Sequence, residues 1–235
     1  MSAVPRWQYN ESKFSGVDYS RSDEVAAYDR RHQRFRDYAK STEEIIRRLS
    51  LSADSTVIDL GSGTGAFALH AARKCRTIYA VDISAAMLDY CRQQAAKAGL
   101  TNIVFCHGGL LTYDHSAEAA DAAVCVAVLH HLRDFWKGVA LTRCGRMLKP
   151  GGRFYLFDIV FPSHEPRLDE KIDEWIATVE TMADAYVAEE AVVHARDEFS
   201  TYDWIMEGII TRSGFRIDTA EYGQGFQTAY VCTKR

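Results

Sequence analysis

Three glycines alternate with small polar residues in Asp59-Leu60-Gly61-Ser62-Gly63-Thr64-Gly65, at the end of the apolar run TVIDL. Backbone without Cβ atoms turns sharply and lets a ligand lie against it, and the unpaired N–H groups of a following helix favour a carboxylate or ribose oxygen. Gly61, Gly63 and Ala66 also fit the G-x-G-x-x-G/A spacing, so the glycines alone leave a nicotinamide and another nucleoside cofactor both open. Asp82, in YAVDIS, stands ~20 residues further on, the spacing at which a carboxylate accepts from both ribose hydroxyls. An acid at a strand end can instead cap a helix, a place Ser84 is equally able to fill. His130 and His131 close the apolar run AAVCVAVLH. An imidazole there titrates near neutral pH and can take a proton from an attacking amine, thiol or hydroxyl; the bland alternative is a helix cap shared with Asp134.

The elements that must position these residues follow from the apolar patterning. TVIDL, TIYAVDI, IVFCH, AAVCVAVLH and RFYLFDIVF are nearly continuous β-branched runs, as expected of strands buried on both faces, and helical patterns separate them. Residues 53–160 therefore read as an open α/β core of parallel crossovers, with ligands bound beyond the carboxyl ends of its strands. Residues 1–52 form a helical cover in which Val25, Tyr28, His32, Phe35 and Tyr38 recur at helical spacing. Ser41 and Glu44 match a capping box for a second helix there. Residues 161–199 read as an insertion with one long helix, its apolar stripe running from Ile172 to Val187. Residues 200–235 add a helix ended by Gly214 and a hairpin around Gly223-Gln224-Gly225.

With 235 residues, 47% of them hydrophobic, the chain can bury a core as a single domain, and fibre or linker readings fall away. A net charge of −4 gives no general attraction for nucleic acid or an anionic membrane. No apolar stretch approaches the ~18 residues of a membrane span, so a cytoplasmic location is expected. Cys75, Cys91, Cys106, Cys125, Cys144 and Cys232 are scattered, without zinc-like spacing, and read as reduced, buried and structural.

Taken as a set, VIDLGSGTG, AVDIS with Met87, AVLHHL and MLKPGGRFYLFD resemble the class I S-adenosylmethionine-dependent methyltransferases over residues 55–160. The resemblance implies a doubly wound, seven-stranded, mostly parallel Rossmann-like α/β sheet closed by an antiparallel C-terminal hairpin. It implies S-adenosyl-L-methionine as cofactor, with Gly61 and Gly63 beside the methionine part, Asp82 on the ribose, and Ile83 and Met87 against adenine. Residues after the fourth strand would face the methyl group. Tyr28, Asp59, Ser62, Gly109 and Ala127 complete the cofactor-binding candidates. One departure stands out: where the family often has Gly-Asp-Ala after the third strand, this chain reads Gly108-Gly109-Leu110. The side-chain acceptor for the adenine amine is missing, which leaves the backbone N–H of Leu110 to hold it.

The function implied is methyl transfer to a small-molecule nucleophile, with His130 and His131 as catalytic candidates. Catalysis would be mostly placement, under a cover drawn from Trp7, Tyr9, Tyr19, Tyr28, Trp175 and Tyr186. Aromatic faces there could also stabilise a cation. Residues 161–200 hold eleven acids and three bases, which suits a cationic amine but equally a solvated helix face. Read linearly, the chain has no compact His/carboxylate cluster near the site and no metal is expected, although Asp158, at the end of the fifth strand, could join one in space. A cofactor-binding regulatory subunit and a nicotinamide oxidoreductase are the alternatives.

Overall fold

The computed structural model describes residues 5–13, 25, 27, 37–183 and 185–235. Its strands are β1 (Thr56–Leu60), β2 (Thr77–Asp82), β3 (Ile103–His107), β4 (Ala120–Val126), β5 (Leu148–Phe161), β6 (Thr201–Tyr202), β7 (Phe215–Tyr222) and β8 (Gln227–Lys234). The helices are α1 (Tyr38–Leu49), α2 (Ala68–Ala71), α3 (Ala85–Lys97), α4 (Asp134–Met147), α5 (Leu168–Met182), α6 (Ala185–Asp197) and α7 (Asp203–Arg212).

Every residue of β1 is buried because both faces of the sheet are covered. Ile58 and Leu60 enter a core shared with Leu141 of α4 and Met206 and Ile210 of α7. Val57, one residue out of phase, enters a second core with Ile45 and Leu49 of α1 and Ala68 of α2. The strands lie in the order β3-β2-β1-β4-β5-β8-β7. The first five are parallel, while β8 runs antiparallel to both β5 and β7. The chain builds outward from β1 through β2 to β3 and then returns to β4 on the other side of β1. That reversal opens a crevice at the carboxyl ends of β1 and β4. The terminal hairpin forms as expected, and an eighth strand, the two-residue β6, adds to the end of β5 in parallel.

Three local expectations are corrected, and one helix is unusually short. α1 starts at Asp37, whose carboxylate accepts from Lys40 N at 3.0 Å, and not at Ser41; Glu44 is taken up by Arg47 and Arg48. The helix after β1 is only four residues long. Asn102 Nδ2 donates to the carbonyls of Ala72 and Cys75, at 2.8 and 3.0 Å, which satisfies acceptors that a longer helix would have used. The insertion is a pair of mutually packed helices, α5 and α6, because the backbone leaves the helical region at Ala183, φ −118° and ψ −95°. Five cysteines are buried, but Cys106 is partly exposed; all six are free. No helix among the described residues is long and apolar enough to cross a membrane.

Candidate active site

The turn after β1 is fixed by hydrogen bonds to its neighbour: the N–H groups of Gly61 and Ser62 both donate to Val81 O, at 2.8 and 2.9 Å. Gly61, Gly63 and Gly65 have φ of +74°, +52° and +93°, a region L side chains avoid. The three glycines differ in what surrounds them. A Cβ on Gly61 would overlap the Val128 methyls and one on Gly65 would overlap Cys91 Sγ, whereas a Cβ on Gly63 meets nothing within 4 Å. Gly63 therefore borders open space, as a cradle for a closely apposed ligand requires.

Two carboxylates converge on this turn. Asp82 accepts from Gly63 N at 2.7 Å and from Ser84 N at 2.8 Å. Helix capping is not its role, because Ser84 Oγ accepts from Met87 N at the start of α3. Asp59 accepts from the N–H of Ala68, while its Oδ2 and Ser62 Oγ are buried without a partner. Burial, and then the charge of Asp82, push Asp59 up to about 8. Burial also raises Asp82, against the N–H groups it accepts from. Buried carboxylates and an orphaned oxygen suit a ligand that brings positive charge and N–H or O–H donors.

Beyond β4 and β5 the structure assembles a second group. His130 Nδ1 is 2.6 Å from Asp158 Oδ1, and His130 N donates to Asp158 Oδ2 at 3.1 Å. Neither histidine caps α4, whose N-cap is Arg133. Glu198 comes in from the end of the insertion, with Oε2 3.4 Å from His130 Nε2 and Oε1 3.6 Å from His131 Nδ1. His194 Nδ1 contacts Glu198 Oε2 from one helical turn away. The stretch carrying Glu198 is tied down on both sides: Phe199 N donates to His130 O at 2.9 Å, and the buried Lys137 ammonium donates to Phe199 O. Burial opposes the charge on His130, but Asp158 outweighs it and the imidazole is raised. Burial and the neighbouring His130 push His131 down to about 4. The compact His/carboxylate cluster that a linear reading lacks is thus made by folding.

A groove of about 810 Å³ between α4 and α7, lined by Phe135, Val139, Trp204 and Ile209, contains none of these strand-end groups. It lies among helix outer faces. The buried carboxylates and the histidine cluster lie at the crevice instead, and the methyltransferase-domain family matches residues 57–152, the segment from β1 into β5 that builds the crevice. The core thus matches a methyltransferase domain in sequence, and its fold is shared with S-adenosylmethionine-dependent methyltransferases of known structure.

The methyltransferase core has curated relatives. The chain is 35% identical over 114 residues to the uncharacterized protein YafE of Escherichia coli, covering 48% of this chain and 52% of that protein. It is 28% identical over 147 residues to an uncharacterized methyltransferase of Geobacillus kaustophilus, covering 63% of this chain and 64% of that one. The match thus spans about half to two thirds of these relatives' length. A crystal structure of a SAM dependent methyltransferase from Aquifex aeolicus shares the fold, with TM-score 0.64 at 15% identity over 92% of this chain and 99% of the other.

In this methyltransferase core, Ile83 is half-buried and Met87 buried at the β2–α3 junction, near Asp82. Ala127 follows β4 in a left-handed conformation, φ +55°, with its N–H donating to Phe157 O at 2.7 Å. Tyr28 and Tyr19 lie outside the described residues. At the β3 end the structure brings in a residue that local motifs do not reveal. Glu11 lies across the loop: its Oε1 accepts from Thr112 Oγ1 at 2.7 Å and its carboxylate accepts from Leu111 N. A carboxylate therefore already stands beside the Leu110 N–H expected to hold adenine. A Cβ on Gly109 would overlap the Glu11 carboxylate, so the acid absent from position 109 has its place filled from the N-terminal segment. Burial raises Glu11 against these hydrogen bonds. Gln8 Nε2 donates to Leu111 O at 3.2 Å and the Tyr9 hydroxyl donates to His131 O at 3.4 Å, so residues 8–11 bridge the β3 and β4 loops. Asp114 is remote, paired with Arg143 on the surface.

Proposed function

We propose that the chain transfers a methyl group from S-adenosyl-L-methionine to a small-molecule nucleophile by in-line displacement. The observation that carries this reading is the pair of buried carboxylates beside an open glycine: Asp59 with an orphaned Oδ2, Asp82 one strand away, and Gly63 facing free space. An amino-acid ammonium and a ribose diol supply the charge and donors that such a site lacks. When bound, the cofactor supplies an activated methyl group on a sulfonium whose leaving group is a neutral thioether.

The chain's own residues bind, orient and shield. Asp59, Gly61, Ser62 and Gly63 take the methionine end, Asp82 the ribose, and Ile83, Met87, Gly109 and Glu11 the adenine. Ala127 and Leu110 shape the walls. His130 and His131 are assigned to the nucleophile's side, where Asp158 fixes the His130 ring so that Nε2 is the atom presented. The 8–11 strap and the α5–α6 pair enclose the acceptor. Holding the reactants in line is worth up to ~7–11 kcal/mol, and excluding water sharpens the local electrostatics.

Calorimetry with S-adenosylhomocysteine tests the reading. One site per chain is expected, at least about tenfold weaker in Asp82→Ala, equivalent to ~1.4 kcal/mol. NADH should give no heat. Unchanged affinity in the variant, or preference for NADH, would reject it. A methyl-labelled donor incubated with fractionated metabolites then identifies the acceptor; cofactor binding without any labelled product would point to a non-catalytic subunit.

A further inference from the structure

The acceptor-side cluster brings three ligand-type side chains to one point. Asp158 accepts at His130 Nδ1, which leaves Nε2 as the ring atom turned toward Glu198, 3.4 Å from its Oε2. His131 Nδ1 stands 3.6 Å from Oε1, too far for a hydrogen bond. One ligand atom from each of the three residues lies within 4.8 Å of the other two.

We infer that His130, His131 and Glu198 bind a divalent first-row transition metal of the zinc class. Ligands ~2.0–2.2 Å from one tetrahedral ion stand ~3.3–3.6 Å apart; here His130 Nε2 is 3.4 Å from Glu198 Oε2 and His131 Nδ1 is 3.6 Å from Oε1. Two imidazoles and one carboxylate suit zinc and its neighbours, whereas magnesium and calcium require oxygen donors throughout. Support comes from outside the trio. Asp158 orients His130, as ligating imidazoles require, and His194 orients Glu198 while its own Nε2 lies 2.7 Å from Ser200 Oγ. Lys137 is the nearby cation, and it is committed to Asp134 and the Phe199 carbonyl.

Three protein ligands leave a fourth position open, and His131, with 31% of its side chain exposed, marks the accessible side. A thiol or hydroxyl acceptor binding there would lose its proton to solvent on coordination and present an anion. This role rests on the methyl-transfer reading; the binding of the metal does not.

The test is calorimetric titration of chelator-stripped full-length protein with ZnCl2, CoCl2 and MgCl2, alongside S-adenosylhomocysteine. One zinc and one cobalt per chain are expected, cobalt with the intense visible absorption of a low-coordinate site, and no magnesium. Zinc affinity should fall at least tenfold in His131→Ala and in Glu198→Gln, and ~10–100-fold in Asp158→Asn, which leaves all three ligands in place. His115→Ala, distant from the trio, should match wild type. Circular dichroism checks that each variant is folded. No zinc binding, equal binding in the ligand variants, or equal magnesium binding would overturn the inference. A chain that binds S-adenosylhomocysteine but no zinc sinks this site alone, and the converse sinks only the methyl-transfer reading.

Discussion

Glu11 occupies the space that a side chain on Gly109 would need, although 98 positions separate them in the chain, and its carboxylate gathers donors from Leu111 and Thr112. A carboxylate delivered from the N-terminal segment therefore stands where the family often carries one on the loop itself.

That relationship predicts a rescue. Glu11→Ala should weaken S-adenosylhomocysteine binding about tenfold or more, ~1.4 kcal/mol, as expected for a lost charge-assisted hydrogen bond. Gly109→Asp added to Glu11→Ala should recover most of the loss, whereas Gly109→Asp alone should disturb binding by colliding with Glu11. Calorimetry on the three variants checks this, and a double variant no better than Glu11→Ala would remove Glu11 from the adenine site.

Asp59 gives a pH prediction whose sign is definite. Its carboxyl sits at about 8 in the folded chain and near ~3.9 when unfolded. The folded state thus holds an extra proton between those values, so this group's stabilisation is present at low pH and declines as pH rises through about 8. The ammonium of a bound amino-acid moiety needs the ionised form. S-adenosylhomocysteine affinity should therefore rise with pH by up to about tenfold per unit below 8 and then level off, while Asp59→Asn should show a flat profile. A wild-type profile flat from pH 6 to 8 would contradict the assignment.

The glycines should separate under substitution. Gly61→Ala meets both left-handed strain, ~1–2 kcal/mol, and overlap with Val128, ~1–3 kcal/mol more, and Val128→Ala should return part of the second cost. Gly63→Ala should cost only the strain, since its surroundings are open, yet weaken the ligand strongly. Urea denaturation paired with calorimetry distinguishes the two; equal stability losses would mean that Gly63 is packed.

Lys137→Met keeps most of the buried stem but strips a donor from the Phe199 carbonyl and Asp134. A loss of ~1.5–3 kcal/mol is expected, with faster hydrogen exchange at residues 198–201. Unchanged exchange would show that the Phe199 N–H and the β6 pairing suffice to hold that stretch.

What could be read from the residues in order was whatever local spacing encodes. The Gly61–Gly65 run, Asp82 at the end of its strand, and the unbroken burial of β1 follow from short-range pattern. Glu11 and Glu198 do not. Glu11 acts on a loop about a hundred residues away, and Glu198 was one acid among eleven on an insertion whose solvated face was the simplest account. The His194–Glu198 spacing of one helical turn was the available signal, and it becomes specific only when His130 is known to lie opposite. The break at Ala183 was also hidden, because the apolar stripe continues at helical spacing through the residue where the backbone turns.

The nitrogen and oxygen atoms around Glu198 arrive from three stretches of chain, 130–131, 158 and 194–198. During synthesis β1 to β5 are complete before the last of these emerges, so the half-made protein has its crevice but only part of its polar heart. Completion of that cluster is thus a late event of maturation, and a probe sensitive to it would report that the final third has docked and not merely that the sheet has formed.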